Sequence, residues 1–193
     1  MNHLDMQKTI DATLQHLQQG ETILYPTDTI WGIGCDATCS PAIEQLYAIK
    51  QRDHHKSMLI LCANEAMVLR YVPSATEAML RLCTESERPT TVIFPQAQGL
   101  PANLLASDGS IGIRIPKHEF CHQLLLLLDH PIVSTSANLS GHPSPATYAD
   151  IEPTLFKHIG YAVPNLPFFT QSTHVGSRIL KVEANGIVTT LRQ

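Results

Sequence analysis

The chain has 193 residues and a formal net charge of −4, with 44% hydrophobic and 16% charged residues. That apolar fraction supplies a sizeable core and excludes a disordered chain. The acidic balance does not favour bulk nucleic-acid binding, though it allows a local basic patch.

In chain order, residues 4–19 carry Ile10, Leu14 and Leu17 at helical spacing and stop at Gly20. Thr22 to Tyr25 reads as a buried strand closed by Pro26. Ser40-Pro41 reads as an N-cap with proline at the first helical position. The helix it starts turns Ile43, Leu46 and Tyr47 inward and delivers Lys50 and Arg52 at its C-terminal end. Residues 58–61 form a strand, and Ser74-Ala75-Thr76-Glu77 reads as a capping box opening a helix that runs to Cys83. Strands follow at 91–94 and 111–115, then a helix at 117–128 and a strand at 132–134. Leu124 to Leu128 is the longest aliphatic run; five residues cannot span a bilayer, and the run predicts burial on all sides. A weaker helix is expected over 147–157. Residues 178–182 and 187–191 flank Asn185-Gly186, a strong hairpin signal. Strands and helices mix along the whole length, so the class is α/β or α+β in a single domain over 1–193, and the closing hairpin argues against a purely parallel sheet.

Five cysteines, at 35, 39, 62, 83 and 121, make an odd number with no apolar leader before them, which predicts free thiols in a reducing cytoplasm. Neither Cys35 with Cys39 nor the His118, Cys121, His122 group completes a zinc ligand set, so no metal site is expected from them.

Two segments carry chemistry. Pro131-Ile132-Val133 runs into Ser134-Thr135-Ser136-Ala137-Asn138-Leu139-Ser140-Gly141, a strand opening into a polar loop of hydrogen-bonding groups. Lys50, Arg52 and Lys56 place three cations within seven residues, a pattern suited to a polyphosphate. Each also has a plain reading, as a solvated helix end or as a loop.

Taken in order, Tyr25-Pro26-Thr27-Asp28-Thr29, Gly32-Ile33-Gly34-Cys35-Asp36, Lys50-Gln51-Arg52 with Lys56, Gly112-Ile113-Arg114-Ile115-Pro116, and Ser134 to Gly141 resemble the YrdC-like threonylcarbamoyl-adenylate synthase family over roughly residues 8–192. The resemblance implies a twisted, mixed, largely open sheet with helices packed on it and a concave basic cavity. It implies condensation of L-threonine, bicarbonate (or CO2) and ATP to threonylcarbamoyl-AMP and pyrophosphate, with Mg²⁺ accompanying ATP. The product serves the threonylcarbamoyladenosine modification of tRNA, through downstream transfer proteins. By the same resemblance Thr27, Arg114 and Ser177 contact threonine, Lys50 and Arg52 are catalytic and hold the triphosphate with Lys56, and Ser134, Ser136, Asn138 and Arg192 bind nucleotide. Two segments depart from the family pattern: Arg88-Pro89-Thr90-Thr91 lacks the usual glycine turn, and Ser177-Arg178 carries an extra cation. Two alternatives stand beside the synthase: a tRNA or double-stranded-RNA-binding module, and a same-fold paralogue acting on another carbamoyl compound. The low aromatic content, 6%, weakens the first, because single-stranded binders need stacking platforms.

Overall fold

The computed structural model describes residues 3–53, 57–167, 169, 172–183 and 187–193. Its described strands form one nine-stranded mixed sheet: β1 (Ile23–Tyr25), β2 (Gly32–Gly34), β3 (Leu59–Leu61), β4 (Thr90–Phe94), β5 (Ile111–Arg114), β6 (Ile132–Ser136), β7 (Tyr161–Ala162), β8 (Arg178–Val182) and β9 (Val188–Arg192). Their spatial order is β7-β1-β2-β6-β3-β5-β4-β8-β9. Three pairs are parallel (β1 with β7, β3 with β5, β4 with β8), the other five are antiparallel, and β7 and β9 are open edges. The expected mixed, open α/β sheet is therefore present.

The helices follow local chemistry. Helix α1 (His3–Gln18) buries Ile10, Thr13 and Leu17, and packs against α5 (Glu119–Leu128). In α2 (Ser40–Lys50) the cap is Cys39, one residue before the expected Ser40, with Pro41 in the first turn. Helix α3 (Glu65–Tyr71) was not apparent in the sequence reading; Asn64 Oδ1 caps it by accepting from Met67 N at 2.9 Å. Helix α4 (Glu77–Thr84) is capped two residues later than expected, because Thr76, not Ser74, accepts from Met79 N. Helix α5 corrects a further expectation. Leu124, Leu125 and Leu128 are buried, but Leu126 and Leu127 are about half exposed, so the leucine run belongs to an amphipathic surface helix. The weak helix at 147–157 resolves into two single 3-10 turns, Tyr148–Asp150 and Leu155–Lys157. Strands β8 and β9 pair antiparallel as expected, while their Asn185-Gly186 turn lies outside the described residues.

Strand β2 explains the Gly-Ile-Gly triplet. A Cβ on Gly34 would stand 1.9 Å from Val133 O, so only glycine lets β2 lie against β6 there. That close pairing brings the 26–32 loop beside the C-terminal end of β6, where the polar loop begins.

Candidate active site

Seven of the ten residues named from sequence line one cavity of about 330 Å³: Thr27, Arg52, Arg114, Ser134, Ser136, Ser177 and Arg192. Strand ends and loops deliver them from β1, α2, β5, β6, β8 and β9. Lys56 lies outside the described residues. Lys50 and Asn138 stand behind the cavity wall rather than in its lining.

Lys50 and Arg52 part company because Gln51 between them adopts a left-handed conformation, φ 49°. Gln51 N and Arg52 N donate back to Ala48 O and Tyr47 O, closing the helix. Arg52 is thereby sent to the cavity, where Nη2 donates to Ser57 O at 3.0 Å. Lys50 turns inward and is almost fully buried. Its Nζ donates to Ser136 O at 2.6 Å, Asn138 O at 2.7 Å and Asn138 Oδ1 at 2.9 Å. Its own carbonyl accepts from Ser140 N at 2.9 Å. An ammonium has three protons, and all three are placed on the polar loop. Burial, reinforced by the Arg52 charge, pulls the Lys50 pKa down to about 7.

The loop is closed on itself as well. Ser136 Oγ donates to Asn138 Oδ1, and Asn138 Nδ2 donates to His142 O. Asn138 faces a second cavity beside His142 and Ser144, and Ser144 lines both cavities.

Arg114 is buried with Asp28, which takes Nη1 in an ion pair, while Nη2 donates to Thr29 Oγ1 at 3.4 Å. The other Asp28 oxygen accepts from Lys117 N at 3.1 Å. Arg114 Nε is buried without a hydrogen-bond partner among the described residues. Nothing in the sequence marks Asp28 as a site residue beyond its position one residue after Thr27. Thr27 is more constrained than expected. Its hydroxyl donates to Ile30 O at 2.7 Å and accepts from Thr29 N at 3.1 Å, with Thr29 Oγ1 at 2.9 Å.

Arg192 is held in place near the C-terminus. Its Nε and Nη2 both donate to Ser177 O, at 2.9 and 2.7 Å, and Nη2 lies 3.3 Å from Ser177 Oγ. A register shift between Ile179 and Leu180 sets Arg192 opposite Ile179 and lets Leu191 and Arg192 both reach the cavity. Thr91, also in the lining, bonds Ser177 Oγ at 2.8 Å. The two departures from the family pattern meet in space. Arg178 N donates to Pro89 O, and its Nη2 reaches Thr90 Oγ1 at 3.3 Å and Ser86 Oγ at 3.4 Å, away from the cavity.

His118 and Cys121 serve the wall. Cys121 Sγ donates to Pro26 O at 3.2 Å, and the buried His118 ring packs against Phe120 and Phe169. Burial lowers the His118 pKa to about 4. No group of three or more His, Cys, Asp or Glu among the described residues is placed to hold a metal. Among the described residues, no helix is long and apolar enough to cross a membrane.

A family model for Sua5, YciO and YrdC proteins, described as "Telomere recombination", matches residues 15–193. A threonylcarbamoyl-AMP synthase of Pseudoalteromonas translucida strain TAC 125 is 36% identical over 160 residues, covering 81% of this chain and 86% of that protein. One from Yersinia pestis strain Pestoides F is 31% identical over 195 residues, covering 98% and 96%. Among solved structures, P. abyssi Sua5 complexed with L-threonine superposes with a TM-score of 0.83 at 21% identity, over 95% of this chain and 53% of that one. E. coli YciO gives 0.80 at 21% identity, over 97% and 89%. This chain thus spans about half the length of Sua5 and most of the length of YciO. By the family model and the identity to curated relatives, the chain belongs to the Sua5/YciO/YrdC family.

Proposed function

We propose that this protein is an L-threonylcarbamoyl-adenylate synthase, a nucleotidyltransferase that condenses L-threonine, bicarbonate or CO2, and ATP into threonylcarbamoyl-AMP and pyrophosphate. The single observation that carries the reading is the cavity that gathers Arg114, Arg52 and Arg192 with the hydroxyls of Ser134, Ser136 and Ser177. The names of the curated relatives point the same way.

The chemistry suits that lining. The threonine amine takes up CO2, losing a proton, to give a carbamate anion. A carbamate oxygen then attacks the α-phosphorus of ATP, and the bond to the bridging oxygen of pyrophosphate breaks. Nucleophile and electrophile are both anionic, so charge neutralisation and alignment dominate the barrier. Arg52 meets the phosphates, and the Arg114 N–H groups not spent on Asp28 meet the threonine carboxylate. Ser134, Ser136 and Arg192 lie where nucleotide passes, and Asn138 with Lys50 shapes the loop beneath it. Mg²⁺ would enter with ATP as part of the substrate and offset phosphate charge. The product passes to cytoplasmic proteins that modify tRNA.

The test is pyrophosphate release with ATP, Mg²⁺, bicarbonate and a panel of amino acids. Release that requires both threonine and bicarbonate supports the proposal; release indifferent to threonine refutes it.

A further inference from the structure

Four hydroxyls surround the Arg114 end of the cavity: Thr27, Thr29, Thr91 and Ser177. Thr29 accepts from Arg114 directly. Val92 pairs with Ile113, so Thr91 and Arg114 are the next residues along β4 and β5. These four oxygens differ in how many protons they have left to offer.

Each hydroxyl carries one proton. The Thr27 proton goes to Ile30 O. The contact between Thr27 and Thr29 must then use the Thr29 proton, so that pair has none remaining. The Thr91 and Ser177 pair is different. Arg192 Nη2 can only donate, so Ser177 Oγ accepts from it. One proton is used between Thr91 Oγ1 and Ser177 Oγ. Whichever residue supplies it, the other keeps a proton with no acceptor among the described residues. Thr91 is also buried within β4, at 1% exposed.

We infer that Thr91 is a specificity-determining residue, which pairs with Ser177 to offer one fixed O–H donor to the side-chain hydroxyl of the amino-acid substrate. The inference rests on the proposed synthase reading and names how that site recognises its amino acid. A site built to hydrogen-bond a substrate hydroxyl rejects the analogue lacking it strongly, because its own polar groups are then left unpaired. Packing against a methyl alone discriminates far less.

The test compares L-threonine with L-2-aminobutyrate, which keeps the carbon skeleton and lacks the hydroxyl. The kcat/KM for pyrophosphate release is measured for wild type, Thr91→Val and Thr91→Ser, together with the KM for ATP. Wild type is expected to favour threonine by about ten-thousandfold or more, the scale of a hydroxyl-reading site, where packing alone gives about a hundredfold. Thr91→Val, equal in shape, leaves Ser177 its proton but removes the bond that aims it, and should cut that preference at least about tenfold, the scale of one hydrogen bond no longer held in place. Thr91→Ser should restore it, and the KM for ATP should stay constant. An equal loss toward both amino acids, or an unchanged preference, overturns the inference and makes Thr91 a packing residue. Calorimetric titration of the same two amino acids reads the preference without turnover. Wild type that binds threonine selectively yet releases no pyrophosphate overturns the synthase reading, and the Thr91 comparison is then decided on binding alone. Wild type that binds neither amino acid overturns both.

Discussion

Replacing Lys50 with Met removes a buried ammonium while keeping most of the side-chain volume. Three oxygens lose a donor: Ser136 O, Asn138 O and Asn138 Oδ1, the last keeping Ser136 Oγ. Each bond from a charged donor contributes about 1.5–3 kcal/mol net, so the loop loses roughly 5–9 kcal/mol of local interaction. Against this stands the cost of holding Lys50 out of water. A pKa lowered from 10.5 to about 7 corresponds to about 5 kcal/mol. The two magnitudes largely cancel, so global stability should fall by only about 0–4 kcal/mol, while the order of residues 136–140 falls much further. Amide hydrogen exchange over that segment should therefore speed up by more than the melting temperature implies, and threonine-dependent turnover should drop at least about a hundredfold. Lys50→Arg should not rescue it, because a planar guanidinium cannot aim three donors as an ammonium does. The pH dependence supplies an independent check. With its pKa lowered in the fold, Lys50 binds fewer protons folded than unfolded between about pH 7 and 10.5, so this group makes stability rise with pH across that window. Between pH 7 and 9 wild type should gain about 2 kcal/mol relative to Lys50→Met. Wild-type exchange and turnover in the Met variant, or no difference between the two pH profiles, would refute the reasoning.

Three further outcomes are expected. Asp28→Asn leaves the buried Arg114 without its counter-ion and should cost about 3–5 kcal/mol in chemical denaturation; a loss below about 1 kcal/mol would show that the ion pair does not hold the loop. His118, its pKa lowered to about 4 by burial, contributes stability that is present above its ordinary value of 6.5 and lost as pH falls toward 4, up to about 3 kcal/mol. His118→Gln should flatten that acid limb in thermal melts, and an unchanged limb would assign it to other groups. Arg52→Ala should lower kcat/KM by two orders of magnitude or more, the scale of an oriented charge lost from a transition state, whereas Arg70→Ala should leave it near wild type, since Arg70 pairs with Asp129 on the surface. Equal effects in steady-state assays would move the triphosphate elsewhere.

Much of this was legible in the sequence, for local reasons. Helices α1, α2, α4 and α5 announce themselves through periodicity and their starts, and β4, β5 and β6 through short apolar runs. Strand β2 did not, because Gly-Ile-Gly has no strand propensity; its pairing is dictated by the close approach of Val133. The leucine run in α5 misled because five leucines in a row carry no periodicity, and only packing against α1 decides which of them face water. The cavity's membership was readable from residue types and order. What could not be read was the state of each group. Lys50 and Arg52 diverge on the left-handed Gln51, Thr27 is committed to Ile30 O, and Thr91 meets Ser177 across 86 positions. These are long-range or conformational facts with no local signature.

The most direct test of the central claim follows carbon rather than phosphate. The protein is incubated with ATP, Mg²⁺, L-threonine and isotopically labelled bicarbonate, and the adenylate fraction is separated before it decays. Label recovered in a threonine-containing adenylate, in equal amount to released pyrophosphate and absent when threonine is omitted, is the predicted result. Pyrophosphate or ADP formed without label in any adenylate would contradict the account.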